Sequence, residues 1–436
     1  MQADGLTIVF MPESAYGPTN NCIGIGKVLH ERGHRVVFAA EASWKGRLEP
    51  LGFEEDLVDL APPADDAAEQ DAGQFWTDFV IETAPEFRKP TIEQLATFIE
   101  PVWASLIEGA AYCEPQLEAI LDRARPDVIV EDNVNCFPAL MTNPAPWVRI
   151  MSCNPLELRD PDLPPTFSGY PIDDRTDWAS FDAEYERTHR ATWEKYDDFV
   201  QEHGAPPLPD LGFIHESEDL NLSVYPAVAD YPRSRTPAPT WHRLESSVRE
   251  TEDPWELPAA LRDRAGALIY LSLGSLGSAD VELMRRLVAA LAETPHRYIV
   301  SKGPRADEFE VADNMVGAAR LPQTNIIPAC DLVITHGGNN TTTEAFHFGK
   351  PMIVLPLFWD QYDNAQRVHE LGYGVRLPTY DVEDRELRDA VDGLLADTDL
   401  RRRMASNGER IRAADGKRVA ADLIEDLGRR HRSGRR

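Results

Sequence analysis

Basic residues, cysteines and long apolar runs are all scarce in this 436-residue chain. Lys and Arg number 44 against 74 Asp and Glu, a formal net charge of −30. A uniformly acidic surface repels a phosphate backbone, so nucleic acid is not an expected partner. The five cysteines, Cys22, Cys113, Cys136, Cys153 and Cys330, are odd in number, far apart and without a CxxC pair. That pattern argues against a disulfide framework or zinc ribbon and suits reduced thiols, so a cytoplasmic location is expected. No apolar run approaches the roughly 18–20 residues of a membrane span, and the opening MQADGLTIVFMPES places a strand where an export signal would carry its basic flank.

Several short motifs are missing as well. Gly24-Ile25-Gly26 is followed by Leu29 where the third glycine of GxGxxG belongs, and GxxxxGK[ST], GxSxG and HExxH do not occur. A nicotinamide dehydrogenase, a P-loop ATPase, a serine hydrolase and a zincin all lose ground. His34 reads as structural, the other histidines form no i, i+4 pair, and no metal site is expected.

What the sequence does contain is an alternation of apolar strands and helices. LTIVFM (6–11), a helix near 22–32 and RGHRVVFAA (32–40) suggest a parallel βαβ unit, repeated by DVIVE (127–131), WVRIMS (147–152) and LNLSVY (220–225). The strands are continuous runs, as in sheets covered on both faces. Residues 1–225 read as one domain, with excursions near 54–90, a helical segment over 91–125 and a polar, aromatic-rich stretch at 157–215. The proline-rich 226–258 reads as a linker. A second series over 259–415 has ALIYLSLGS (267–275), RYIVSKG (297–303), DLVITHGG (331–338) and PMIVLPL (351–357), with helices near 279–293, 341–348 and 361–371. Residues 416–436 hold a final helix, near 417–428, striped by Val419, Leu423, Ile424 and Leu427, and then a basic stretch (Arg429, Arg430, Arg432, Arg435, Arg436) expected to be a solvated tail. Two tandem α/β domains leave a cleft beyond their strand ends, where two substrates can meet.

The densest signal is DLVITHGGNNTTTEAFHFGKPMIVLPLFWDQYDNAQRV (331–368). A strand ends at His336, Gly337 and Gly338 follow, and a helix opens near Thr341. Unpaired N–H groups at a helix start attract anions, glycines let a phosphate approach, and His336 or Thr341 can donate hydrogen bonds. Glu344, a turn later, can accept ribose hydroxyls or merely favour the helix dipole. Asp360-Gln361 suits the vicinal hydroxyls of a sugar, although alone it is an ordinary loop dipeptide.

Pro322-Gln323, His336 to Glu344, Asp360-Gln361 and Asn364-Ala365, in this order, resemble the nucleotide-sugar signature of UDP-glucosyltransferase-like enzymes. This GT-B family includes plant secondary-metabolite and bacterial macrolide glycosyltransferases. The resemblance implies an α/β fold of two Rossmann-like doubly wound domains facing across a cleft, and a final helix that crosses back to the N-terminal domain. It implies that Gln323 lies by the nucleobase, that Ser275, His336, Gly338, Asn340 and Thr341 surround the diphosphate, that Glu344 binds ribose, and that Asp360 and Gln361 bind the donor sugar. Leu321 stands where many members have a tryptophan, which leaves uracil against thymine open. Asn340 replaces a glycine, a tolerable change if that backbone needs a positive φ. Asp160-Pro161-Asp162 and Asp397-Thr398-Asp399 mimic a metal-binding DxD, but the family needs no metal because the helix N-terminus and His336 neutralise the leaving diphosphate.

The family's general base, a histidine after the first strand, falls at Pro18, which takes no proton. Asp132, with Glu131 beside it to raise its pKa, is the first substitute, and Glu13 is the second. The expected function is inverting sugar transfer from a UDP- or TDP-activated co-substrate to a small acceptor, with no other cofactor, by a monomer or homodimer. A catalytically silent nucleotide-sugar binding protein, C-glycosyl transfer and sugar epimerisation are the alternatives.

Overall fold

The computed structural model describes residues 5–62, 82–234 and 236–434. Part of the acidic region near 54–90, together with Arg435 and Arg436, lies outside the described residues. The first sheet comprises β1 (Thr7–Pro12), β2 (Arg35–Phe38), β3 (Glu54–Glu55), β4 (Val128–Asp132), β5 (Trp147–Met151), β6 (Leu220–Ser223) and β7 (Trp241–Arg243). The second comprises β8 (Leu268–Ser272), β9 (Arg297–Ser301), β10 (Met315–Ala318), β11 (Leu332–Thr335), β12 (Met352–Val354) and β13 (Gly374–Arg376). Their orders are β3-β2-β1-β4-β5-β6-β7 and β10-β9-β8-β11-β12-β13, and every pairing is parallel. Val128, Ile129, Val130, Leu332, Val333 and Ile334 are fully buried, because helices cover both faces of each sheet.

The helices of eight or more residues among those described are α1 (Tyr16–Glu31), α2 (Glu100–Ala124), α3 (Trp178–Glu202), α4 (Val281–Ala292), α5 (Asn339–His347), α6 (Gln361–Glu370), α7 (Asp384–Ala396), α8 (Thr398–Ala414) and α9 (Gly416–Gly434). Two of these helices and one strand differ from expectation. α1 opens at Tyr16 and not near 22, so Pro18 sits in its first turn, where its missing N–H costs no intrahelical bond. α3 occupies much of 157–215, the polar, aromatic-rich stretch expected as an excursion from the sheet; only Trp178, Phe181, Tyr185, His189, Tyr196 and Val200 along its length are buried. β7 lies inside the expected linker and extends the first sheet through three residues too few and too polar to register as a strand.

The final helix α9 packs on the first sheet. Ala420, Ala421 and Ile424 are fully buried and Leu427 nearly so, in one cluster with Leu6, Ile8 and Val128. Val419, expected in that stripe, is exposed. A Cβ on Gly428 would stand 2.8 Å from Val128 and 2.9 Å from Leu6, so only glycine allows this approach. Ion pairs from Arg32 to Asp422 (2.7 Å) and Glu425 (2.9 Å) flank the contact. Arg429, Arg430 and Arg432 do not form a free tail. They continue α9, and Arg432 pairs with Asp127 at 2.5 Å. Ile424→Ala empties a buried site and is expected to cost about 2–5 kcal/mol of stability, measured by denaturant unfolding.

Candidate active site between the two sheets

On the N-terminal side, parallel pairing sets Pro12 of β1 opposite Asp132 of β4, so two strand ends reach the cleft together. The Glu13 backbone N–H donates to the Asp132 carbonyl at 2.8 Å and joins the two loops. Asp132 is 2% exposed; its Oδ1 accepts from Ser152 Oγ at 2.8 Å, while its buried Oδ2 has no partner among the described residues. Burial pushes this carboxyl up to about 7, against the Ser152 hydroxyl and the Arg149 charge. Glu13 is likewise pushed up to about 6 by burial.

The expected pairing of Asp132 with Glu131 needs correction. Adjacent strand residues point to opposite faces, and Glu131 turns away to accept Trp147 Nε1 at 2.9 Å and to pair with Arg149 at 3.2 Å. Glu13 adds more to the Asp132 shift than Glu131 does.

On the C-terminal side, β8 and β11 end level, Ser272 opposite Thr335, and bring the Gly274 turn beside His336. A Cβ on Gly274 would lie 2.7 Å from the imidazole, and one on Gly338 would lie 2.4 Å from it. Both glycines therefore make the room His336 occupies. Gly337 has φ +88°, and a Cβ there would stand 2.8 Å from Val354. Ser275 is exposed, one residue beyond Gly274. Burial holds the His336 pKa down to about 4, and its ring N–H donates to the Ser272 carbonyl. A neutral imidazole carries one N–H, here given to Ser272, so His336 can meet a diphosphate only as the imidazolium that the anion itself would favour. The reason given for Asn340 fails, since it lies within α5 and is absent from the positive-φ residues.

One turn deeper, Gln323 Nε2 donates to Glu344 Oε2 at 2.5 Å and to Thr341 Oγ1 at 3.2 Å, while Tyr270 OH donates to Gln323 Oε1 at 3.0 Å. Burial raises the Glu344 pKa, and the Arg249 guanidinium, 2.9 Å from Oε1, opposes the rise. Asp360 and Gln361 face a third direction. Asp360 Oδ2 accepts from the Asn154 backbone N–H at 2.9 Å, and burial pushes this carboxyl up to about 6. Gln361 Oε1 accepts the N–H groups of Leu357 (3.1 Å) and Phe358 (3.2 Å), which commits the oxygen end of its amide to the loop before α6.

Glu13 and Asp132 therefore face the start of α5. Asn339 donates to the Ser152 carbonyl, and a Cβ on Gly17 would lie 3.9 Å from Asn340. Gln323, Thr341 and Glu344 form a second group joined by hydrogen bonds, while Asp360 and Gln361 brace the loop before α6. Sequence reading missed Arg249, Ser152, Asn154 and Glu157. None belongs to a motif, and only the fold brings them here. Glu157 Oε2 is buried without a partner among the described residues, and burial with Asp360 and Asp363 nearby pushes this carboxyl up to about 8. Trp359, at φ +58°, packs its ring at a tilt against Trp103 and Phe167, with centroids 5.1 and 4.6 Å away. Among the described residues, no group of three His, Cys, Asp or Glu side chains could hold a metal ion, and no helix is long and apolar enough to cross a membrane.

Residues 285–425 match the family described as erythromycin biosynthesis protein CIII-like, C-terminal domain. Over 416 residues the chain is 26% identical to the NDP-glycosyltransferase YjiC of Bacillus subtilis (strain 168), covering 94% of each. It is 24% identical over 423 residues to the oleandomycin glycosyltransferase of Streptomyces antibioticus, covering 96% of this chain and 90% of that protein. The crystal structure of the kitacinnamycin glycotransferase superposes with a TM-score of 0.70 at 21% identity, covering 98% of this chain and 100% of that one. The two facing parallel sheets are a GT-B fold, and the protein is by class a glycosyltransferase. Residues 285–425 thus carry that family's domain, and over nearly its whole length the chain is similar to named glycosyltransferases.

The Asp132 shift carries a stability consequence. Its pKa rises from an ordinary 3.8 to about 7, so between those values the folded chain keeps a proton that the unfolded chain releases. The contribution of this group to stability therefore falls as pH rises through that window and is lowest above it. Asp132→Asn is expected to raise the melting temperature at pH 8, with the gain shrinking toward pH 4, as read by thermal unfolding across the range.

Proposed function

We propose that this chain transfers a sugar from a UDP- or TDP-activated donor to a hydroxyl of a small, natural-product-like acceptor, with inversion at the anomeric carbon. The observation that carries the reading is the free Oδ2 of Asp132, buried at the cleft and tied through Ser152 to Asn339 at the start of α5. A base there removes the acceptor proton as the hydroxyl oxygen attacks the anomeric carbon from the face opposite the diphosphate. The C–O bond to the diphosphate breaks and its electron pair leaves with that group. Backbone N–H groups opening α5, the His336 imidazolium and the Ser275 hydroxyl meet the charge, so the reading assigns no metal and no cofactor besides the donor. Gln323 and Glu344 take the nucleoside, and Asp360 and Gln361 the sugar. Glu13 stands by Asp132 as the second carboxyl and helps hold its pKa near neutrality. The names of the two relatives, one an NDP-glycosyltransferase and one acting in oleandomycin glycosylation, support the donor class and the kind of acceptor.

Asp132→Asn is expected to lower kcat by about 10²–10⁴-fold while nucleotide affinity persists. In the unsubstituted enzyme kcat should climb between pH 6 and 8, since the carboxylate forms as pH passes the Asp132 pKa of about 7. A flat profile removes Asp132 as base. Glu344→Ala is expected to weaken nucleoside diphosphate binding in calorimetric titration, and NMR of the product reads the anomeric configuration. Pro18 at the family histidine position favours a second reading, a catalytically silent nucleotide-sugar binder. Any product in an acceptor screen eliminates it.

A further inference from the structure

We infer that Arg149 is a positioning residue for the base: sealed beneath the loop that carries Asp132, its guanidinium holds that loop by the backbone and supplies a buried positive charge that favours the carboxylate. The inference rests on the proposed reading of Asp132 as the base.

Arg149 stands opposite Glu131 in the pairing of β5 with β4, and its side chain is 1% exposed. Each nitrogen of the guanidinium is engaged. Nη1 donates to the Asn133 carbonyl at 2.8 Å, Nε donates to the His215 carbonyl at 3.3 Å, and Nη2 lies 3.2 Å from the Glu131 carboxylate. Asn133 is the residue after the base, and its own Nδ2 donates to the Met11 carbonyl at 2.8 Å. Asp132 is therefore followed by a residue tied to β1 and β5 at once.

A buried arginine–glutamate pair seldom offsets its own desolvation, since apolar side chains of similar volume often serve as well. This pair has a use at the strand end. Glu131 and Asp132 point to opposite faces of β4, whereas Arg149 reaches past the strand to the Asn133 carbonyl, so the pair turns its cationic end toward the base. The guanidinium accordingly favours the Asp132 carboxylate more than Glu131 opposes it. The other titratable groups that act on Asp132 are Glu13 after β1, Cys22 on α1 and Cys153 after β5. Glu13 opposes the carboxylate, and both thiols stay neutral because burial raises them well above their ordinary value. Ser152 supplies a hydrogen bond and no charge. With these groups buried together, a charge acts at longer range than it does in water.

The test reads the Asp132 proton without turnover. Thermal unfolding of the full chain from pH 4 to 9 is compared with and without Asp132→Asn in three backgrounds: unsubstituted, Arg149→Met and Glu131→Gln. In the unsubstituted protein the gain from Asp132→Asn levels off above the Asp132 pKa of about 7. In Arg149→Met that plateau should begin about one pH unit higher, because the carboxylate has lost its cation, and in Glu131→Gln it should begin lower. A plateau that stays in place or moves the other way in either variant overturns the inference, and Glu131→Gln decides alone if Arg149→Met does not fold. The rising limb of kcat, read as UDP or TDP released from the glucose-linked donor with water as acceptor, should move with the plateau. In Arg149→Met kcat should fall about fivefold at pH 7 and recover by pH 9. A plateau that moves while the limb does not shows a proton outside the reaction, so the base reading falls and takes this inference with it; an unmoved plateau removes this inference alone.

Discussion

The capture of the first turns of α6 by the opposite domain is the interaction on which the site depends. Asp363 accepts the backbone N–H groups of Phe167 and Gly169 at 2.7 and 2.8 Å, and Asp360 accepts that of Asn154. Asn364 accepts from Asn154 Nδ2 at 2.8 Å and from Tyr225 OH at 3.0 Å, then donates to the Gly337 carbonyl at 2.9 Å. These side chains are buried, and a buried carboxyl or amide left without partners costs more than the same group in water. The loop that carries Ser152 and Asn154 is therefore braced by the same helix that supports the glycines after His336. Asp132 leans on that loop through Ser152, so its placement against the start of α5 is a property of both domains at once.

The cleft is assembled against the preference of its own charges. Burial pushes Glu13, Asp132, Glu157, Asp360 and Asp363 upward, each toward the neutral form. The fold favours the proton on Asp132, and the proposed chemistry requires its removal. A carboxyl poised near 7 reconciles the two, because it is basic enough to take a hydroxyl proton and still available as carboxylate at neutral pH. Stability given up in the cleft is offset elsewhere, in the apolar seam of α9 and the two continuous sheet cores.

Much of this organisation was legible in the residues. Apolar runs such as Val128 to Val130 and Leu332 to Ile334 announce strands covered on both faces, and His336-Gly337-Gly338 announces a turn into a helix start. What stayed hidden falls into two kinds. β7 and β13 are three-residue edge strands, too short for any periodicity, and α3 presents a largely polar surface that masks its apolar stripe. The partners of the site residues are the other kind. Arg249 lies 95 positions from Glu344, and Asn154 lies 206 from Asp360, so no local pattern connects them. The orientation of Glu131, by contrast, follows from strand alternation and could have been read from DVIVED alone.

The chain passes between the domains twice, once in the segment after β7 and once where α8 gives way to α9. The two passages touch: a Cβ on Gly416 would lie 2.1 Å from the Leu244 carbonyl oxygen and 2.2 Å from that of Ser246. Two crossings at one place behave as a single pivot, like hinge leaves sharing a pin. Twisting or sliding would have to stretch one of them, whereas swinging about their common line stretches neither. Opening about that line would part Asp360 and Asp363 from the backbone groups they hold, so the pivot and the α6 ties together fix one angle between the domains.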